Sequence, residues 1–394
     1  MNPSSNRFAQ AARATAIQPP VIPIVAEWTR DNPGTLSLGQ GVVGWGPPEE
    51  AYEGITRFRD NFENNKYKLA QGIPLLLESI GKKLRVENRI SLDPLKRVFV
   101  TAGANMAFVN AILAITDPGD EIILPVPYYF NHEMAVTMLG CRTVIAPTLE
   151  THQLDLIALR EAITERTRAI VTISPNNPSG AIYPESDLRE VTALCREYNL
   201  FHISDEAYEY FTFDGAHHFS PGSIQGAEEH VISLYSLSKA YGFASWRIGY
   251  MVTPPQLLES VKKIQDTNLI CPPVISQYAA AGALESGRTY CEKHLAKTKE
   301  VRKLLLEKLA GWGSFATAAK TEGAFYLLLK VNSKLPALEI TRRLIEEHKV
   351  AVIPGSAFGL DKACYLRIAY GVLDIPTCGE ALDRLGAGLE ALVG

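Results

Sequence analysis

The feature that most limits what this chain can fold into is an alternation between residues 97 and 236. Short apolar runs and helical segments take turns. "RVFVTAG" is followed by "NMAFVNAILAI", which stops at "DPGD", and then by "EIILPVPYY". Farther on, "DLIALREAI" and "ESDLREVTALCREY" have helical spacing, while "RAIVTISP", "LFHISDE" and "HVISLYS" read as strands. Short apolar strands separated by helices belong to a mostly parallel sheet covered on both faces. The expected fold class is therefore α/β. In such sheets ligands gather at the carboxyl ends of the strands.

With 394 residues the chain exceeds what one core usually supports. From about residue 286 the pattern changes. Long helical segments ("HLAKTKEVRKLLLEKLAGW", "ALEITRRLIEEHK") alternate with short runs such as "AFYLLLK" and "CYLRIAY". The expected division is a large domain over 47–285, and a smaller α+β domain built from 286–394 together with the N-terminal segment 1–46. Composition is that of an ordinary soluble protein, 46% hydrophobic and 21% charged. The net charge of -4, without a basic block, argues against a nucleic-acid surface. No apolar run has the roughly 18 residues of a membrane-spanning helix. The 6 cysteines are scattered without a CxxC pair, so they read as reduced thiols of an intracellular, cytoplasmic protein rather than a disulfide frame or a metal site. The opening stretch "MNPSSNRFAQAARATAIQPP" carries Arg7 and Arg13 and no acid before Glu27. It reads as a transit peptide or as an arm running into Pro19 and Pro20.

Strand ends carry the candidate chemistry. The first delivers Gly103, Ala104 and Asn105, and others deliver Asn177, Asp205 and the run from Ser236 to Lys239. Each has two readings. Gly103 before a helix start makes a tight turn, or leaves helix N–H groups free for an anion. "SPNNPSG" is turn chemistry, or it presents the Asn177 amide. Asp205 in "SDEAY" caps a helix or holds a cation. Lys239 is solvated like most lysines, or it is desolvated between an apolar strand and a small turn, with Arg247 following. Burial and a nearby cation both lower a lysine's pKa. A neutral amine near pH 7 condenses with carbonyls. One cofactor matches all these groups, namely pyridoxal phosphate. Its aldehyde suits the lysine, its pyridine nitrogen a carboxylate, and its phenolic oxygen an amide or a tyrosine. Its phosphate suits serines, an arginine and helix N–H groups, and its flat ring an aromatic face.

The motifs "SLGQGVVGW", "YKLAQGIP", "TAGANMA", "PVPYYF", "NNPSG", "SDEAY", "SLSKAYGFASWRIGY", "TEGAFY", "IPGSAFG" and "YLRIAYG" occur in this order. By them the chain resembles the class I/II aminotransferases of fold type I over nearly its whole length. "LGQGVVGWGPP", "TAGANMAFVN" and "PYYFNHEM" are most similar to a plant-type branch that handles aromatic amino acids and methionine. The resemblance implies a large domain with a mostly parallel mixed sheet between helices, and a smaller α+β domain. It matches Lys239 to the lysine that holds the cofactor, Asp205 to the carboxylate on the pyridine nitrogen, and Asn177 and Tyr208 to the donors to the phenolic oxygen. Tyr129 matches the stacking aromatic. Ser236, Ser238, Arg247 and the turn Gly103, Ala104, Asn105 match the phosphate cup. Tyr67 matches a tyrosine that reaches the phosphate of the neighbouring subunit, which implies a homodimer. Arg367 matches the arginine for the substrate α-carboxylate, with Gly41 beside it.

The activity implied is amino-group transfer between an L-amino acid and a 2-oxo acid, ping-pong through pyridoxamine phosphate. Asn105 stands where bacterial aspartate enzymes carry a lysine for the distal carboxylate. Val42, Val43, Trp45, Leu269 and Ile270 offer apolar surface, so aromatic or methionine-like donors are expected to be favoured. An aspartate aminotransferase, or a C–S lyase or decarboxylase on the same scaffold, is the alternative. A regulator that only binds the cofactor would carry a basic helix-turn-helix, which the first 46 residues lack.

Overall fold

The computed structural model describes residues 9–313 and 315–393. Residues 1–8 of the N-terminal segment, Arg7 among them, lie outside the described residues. The central sheet has seven strands: β1 Val98–Thr101, β2 Glu121–Val126, β3 Arg142–Pro147, β4 Thr167–Ile173, β5 Phe201–Asp205, β6 Val231–Ser236 and β7 Gly249–Val252. Their spatial order is β1-β7-β6-β5-β4-β2-β3. β7 pairs antiparallel with both β1 and β6, and the other pairings are parallel.

Alternation along each strand divides the core between the two faces. Val98, Val100 and Tyr235 pack with Leu76, Leu77 and Ala279 to Ala281 on one side. Phe99, Ile232 and Leu234 pack with Phe108, Ile112 and Val261 on the other. Side chains that point both ways into apolar layers explain why these strands read as continuous hydrophobic runs. Helices cover both faces, and the parallel strands all end at one edge.

On one face the helix Glu49–Arg59 lies directly against the long helix Val274–Leu309. A Cβ at Gly282 would sit 1.9 Å from the Glu50 carbonyl oxygen, and one at Gly54 would sit 2.2 Å from that of Tyr278. The backbones therefore touch, and side chains larger than hydrogen are excluded at both crossings. The chain enters Glu49–Arg59 straight from the segment containing Gly41, so this contact anchors one wall of the cavity described below. The long helix breaks at Gly287, whose φ is 66°. Beyond the break it meets the C-terminal helix Ile375–Val393, where Lys308 pairs with Asp383.

A second sheet is antiparallel. Its strands are β8 Ala316–Ala318, β9 Tyr326–Val331, β10 Ile353–Pro354 and β11 Cys364–Ala369, in the order β10-β11-β9-β8. The N-terminal segment joins it: Leu36–Ser37 pairs with Val350–Ala351, and the Ala369 N–H donates to the Leu38 carbonyl at 2.6 Å. That seam brings Gly39 and Gly41 alongside Arg367. The described cysteines are unpaired thiols. Among the described residues no helix is long and apolar enough to cross a membrane.

Candidate active site

A cavity of about 290 Å³ opens at the carboxyl edge of the parallel strands. The ends of β1, β2, β4, β5 and β6 contribute to its wall. Ala104 and Asn105 start the helix Ala104–Ile115 after β1, and Tyr129 precedes the helix Phe130–Met138 after β2. Asn177 follows β4, Asp205 ends β5 with Tyr208 just beyond, and Ser236 ends β6. Ser238 and Lys239 lie in the short helix Leu237–Ala240, and Arg247 lies just before β7. From the second sheet and its seam come Arg367 and Gly41.

Lys239 is half-buried within this ring and its Nζ donates to the Gly41 carbonyl at 2.5 Å. Burial, then Arg367, then Arg247 push its pKa down from 10.5 to about 8. The amine is thus far more often neutral near physiological pH than a solvated lysine. Arg247 is held by the carbonyls of Ala244 and Ala102 at 3.0 and 3.1 Å and reaches the Ser238 hydroxyl at 3.5 Å. Gly103 backs it, with φ 78°, and a Cβ there would lie 2.2 Å from the guanidinium. Glycine is required twice at this position, for its φ and for the approach. No side chain caps the helix that follows. Its free N–H groups, Arg247 and the serine hydroxyls make a cup for an anion.

Across the cavity Asp205 accepts the Ala207 N–H at 3.1 Å through Oδ1, and its Oδ2 lies 3.2 Å from His132 Nε2. The His132 ring stacks on Phe108 with centroids 3.9 Å apart. Tyr208 and Tyr326 share a hydrogen bond of 2.7 Å. Burial, then Tyr326, raises the Tyr208 pKa well above the ordinary phenol value, and burial pushes Tyr129 up to about 12. Both phenols therefore keep their protons and serve as donors.

Arg367 is only 2% exposed. One amino group donates to Asn177 Oδ1 at 3.1 Å and the other to the Gly39 carbonyl at 2.6 Å. Its Nε is a buried donor without a partner, and among the described residues no carboxylate pairs with it. A buried guanidinium left unpaired is costly, and an orphaned donor beside a cavity points to an anionic ligand.

Other expected residues lie elsewhere. Of the apolar residues expected beside the substrate, only Val42 lines the cavity. Trp45 is not among the residues lining the cavity: its Nε1 donates to the Ala240 carbonyl and its ring stacks on His294. Val43 packs against the core, and Ile270 is exposed at the end of the helix Leu258–Leu269. Tyr67 is 81% exposed and forms no part of this wall. Residues not anticipated as site residues complete it. Ile22, Phe130, Ile173, Ala207 and Tyr326 line the cavity, and His132 stands behind Asp205. Tyr326 and His132 sat inside the motifs "TEGAFY" and "PYYFNHEM" without an assigned role. Ile22 carries no local signal, because only the fold brings the helix Val21–Asp31 to this edge.

The buried amine has a measurable consequence for stability. In the cofactor-free protein the folded pKa of Lys239 lies below its unfolded value. Between about 8 and 10.5 the unfolded chain holds the extra proton. The destabilisation is therefore complete below pH 8 and disappears as pH rises through 10.5. Lys239→Met is expected to stabilise cofactor-free protein at pH 7 by on the order of 2 kcal/mol. Urea unfolding of both proteins from pH 7 to 10.5 checks this, and a gap that stays constant with pH would contradict it.

The comparisons with known proteins give the family. The family model described as aminotransferase class I and II matches residues 33–385. The aromatic aminotransferase ISS1 of Arabidopsis thaliana is 35% identical over 94% of this chain and 92% of its own length. An aspartate aminotransferase of Pyrococcus abyssi is 33% identical over 89% of this chain and 90% of its own. Among solved structures, the aspartate aminotransferase of Thermus thermophilus with maleate superposes with a TM-score of 0.89 at 32% identity, covering 97% of this chain and 100% of that one. The chain belongs to the class I and II aminotransferases, fold type I transferases that move amino groups with pyridoxal phosphate.

Proposed function

We propose that this aminotransferase takes its amino group from large neutral L-amino acids, aromatic or methionine-like, and works as a homodimer in the cytoplasm. The observation that carries the substrate reading is the charge pattern of the cavity. Arg367 is available for one carboxylate, and the position beside the phosphate turn is the uncharged Asn105. Ile22, Val42 and Phe130 add apolar surface to the same wall. A second carboxylate would find no cation at Asn105 to answer it, whereas an aromatic side chain gains from contact with the apolar wall.

The residues present fit the cofactor. The anion cup of Arg247, Ser236, Ser238 and the N–H groups at Ala104 and Asn105 suits its phosphate. Asp205, with one oxygen against His132, suits a protonated ring nitrogen. Tyr129 offers an aromatic face, and Asn177 and neutral Tyr208 are donors for the phenolic oxygen. Lys239 suits the covalent link. When bound, pyridoxal phosphate supplies a carbonyl carbon that carries the amino group and a ring that accepts electrons from the α-carbon. Arg367 binds the donor's α-carboxylate in the bidentate manner its planar guanidinium allows, beside the Gly41 backbone. Its Nε–H, left over in this structure, adds a donor for that carboxylate. Once Lys239 is free, its Nζ takes the α-proton and later gives it up, acting as base and then acid. A pKa of about 8 suits both duties.

Several observations support the remaining parts of the reading. Tyr67, Phe62 and Leu69 are strongly exposed and near one another in sequence, as expected of a surface covered by a second subunit. The break at Gly287 supports the division between 47–285 and 286–394. Unpaired cysteines are in keeping with a reducing compartment.

Two experiments test this. The first is the ratio of kcat/KM for phenylalanine, tryptophan, tyrosine or methionine to that for aspartate, with a common oxo acid. The ratio is expected to exceed one, and Asn105→Lys to move it towards aspartate. A wild-type ratio well below one would favour an aspartate aminotransferase instead, as the name of the Pyrococcus abyssi relative would suggest. The second mixes Tyr67→Phe with Lys239→Ala subunits. A site shared across the dimer leaves each mixed dimer one intact and one doubly damaged site. An active monomer in sedimentation would sink the dimer reading.

A further inference from the structure

Tyr326 has no part in the roles assigned above, yet it touches three of the groups that have them. It begins β9, is buried, and lines the cavity. Its hydroxyl lies 2.7 Å from that of Tyr208. The Arg367 guanidinium sits over its ring, 4.7 Å from the centroid. It also fills the space in front of Gly41, where a Cβ would fall 2.6 Å from its hydroxyl oxygen. Gly41 in turn offers the carbonyl that receives Lys239.

The two phenols have one hydroxyl proton each, and only one can donate across their shared bond. Among the described residues neither hydroxyl has another hydrogen-bond partner. When Tyr208 directs its proton at the cofactor's phenolic oxygen, the bond between the tyrosines must be donated by Tyr326. A hydroxyl that accepts a hydrogen bond is a stronger donor in turn, because linked bonds polarise one another. The ring does separate work, since an aromatic face against a desolvated guanidinium attracts it.

We infer that Tyr326 is a positioning residue for both ends of the reaction: its hydroxyl makes Tyr208 donate into the cavity, and its ring holds Arg367 for the substrate carboxylate. This rests on the assignments of Tyr208 and Arg367 proposed above.

Two variants separate the two parts. Tyr326→Phe keeps the ring and removes the hydroxyl, and Tyr326→Leu removes both. In the holoenzyme the visible band of the bound cofactor is titrated against pH. A hydrogen bond to a charged oxygen favours its charged form, so weakening it raises the midpoint. Tyr326→Phe is expected to raise the midpoint by about half to one pH unit, with KM for the amino donor nearly unchanged. Tyr326→Leu is expected to shift the midpoint equally and also to raise that KM by roughly tenfold or more. A midpoint unmoved in Tyr326→Phe, alongside a normal wild-type titration, overturns this inference alone. So does a KM raised as much by Phe as by Leu. A wild-type protein that gains no pH-dependent visible band on adding pyridoxal phosphate overturns the inference and the reading beneath it together.

Discussion

The arrangement depends on a surplus of positive charge gathered around one cavity. Lys239, Arg247 and Arg367 line one cavity, and among the described residues Asp205 is the only carboxylate on its wall. The uncapped end of Ala104–Ile115 adds the positive end of a helix dipole. Arg367 is buried and Lys239 half-buried, and gathering like charge around them is unfavourable unless something answers it. Within the protein the answer is partial. Lys239 gives up its charge more readily, and Arg247 and Arg367 lean on backbone carbonyls and the Asn177 amide. A phosphate at one end and a substrate carboxylate at the other complete it. The same imbalance that costs the cofactor-free fold stability thus selects doubly anionic occupancy and leaves the lysine amine free to react.

The scaffold explains how such an unfavourable set can be held in place. Five parallel strands end at one edge, so polar residues distant in sequence converge there, Asn177 on the buried turn that follows β4. The second sheet contributes from the opposite side. In it Arg367 pairs with Leu328 and Ile353 across the ladder, so its backbone is fixed by two neighbouring strands. The seam at Leu38 then locks the Gly39 to Gly41 segment over the lysine. Sites built on regular elements in this way hold their geometry better than sites on loops.

Much of this was legible in the chain, for reasons that can be named. β1, β2, β4, β5 and β6 were visible because burial on both faces leaves an uninterrupted apolar run. β3 was not, because it is an edge strand with much of "RTVIAP" exposed. β7 was not, because "GYMV" follows directly on the turn that carries Arg247. Asp205 and Lys239 were readable locally, each being a charge at the end of an apolar strand. Arg367 came only through family likeness, since nothing nearby in the sequence distinguishes an arginine within "YLRIAYG". Ile22 and the bond between Tyr208 and Tyr326 depend on contacts between distant segments, which neither spacing nor periodicity encodes. Within "VVGW" Val42 lines the cavity while Trp45 packs against His294, a division that the sequence does not encode.

Fold and cofactor together still permit more than one reaction, because lyases and decarboxylases can use the same scaffold. What distinguishes transfer is that the enzyme itself retains the amino group until an oxo acid collects it. The direct measurement is a single exposure of holoenzyme to a neutral amino acid with no oxo acid present. Amino-group transfer through Lys239 predicts one equivalent of 2-oxo acid per site, a matching loss of the visible band, and no further product until an oxo acid is added. Continued turnover without an oxo acid, or release of carbon dioxide, ammonia or a thiol, would contradict it.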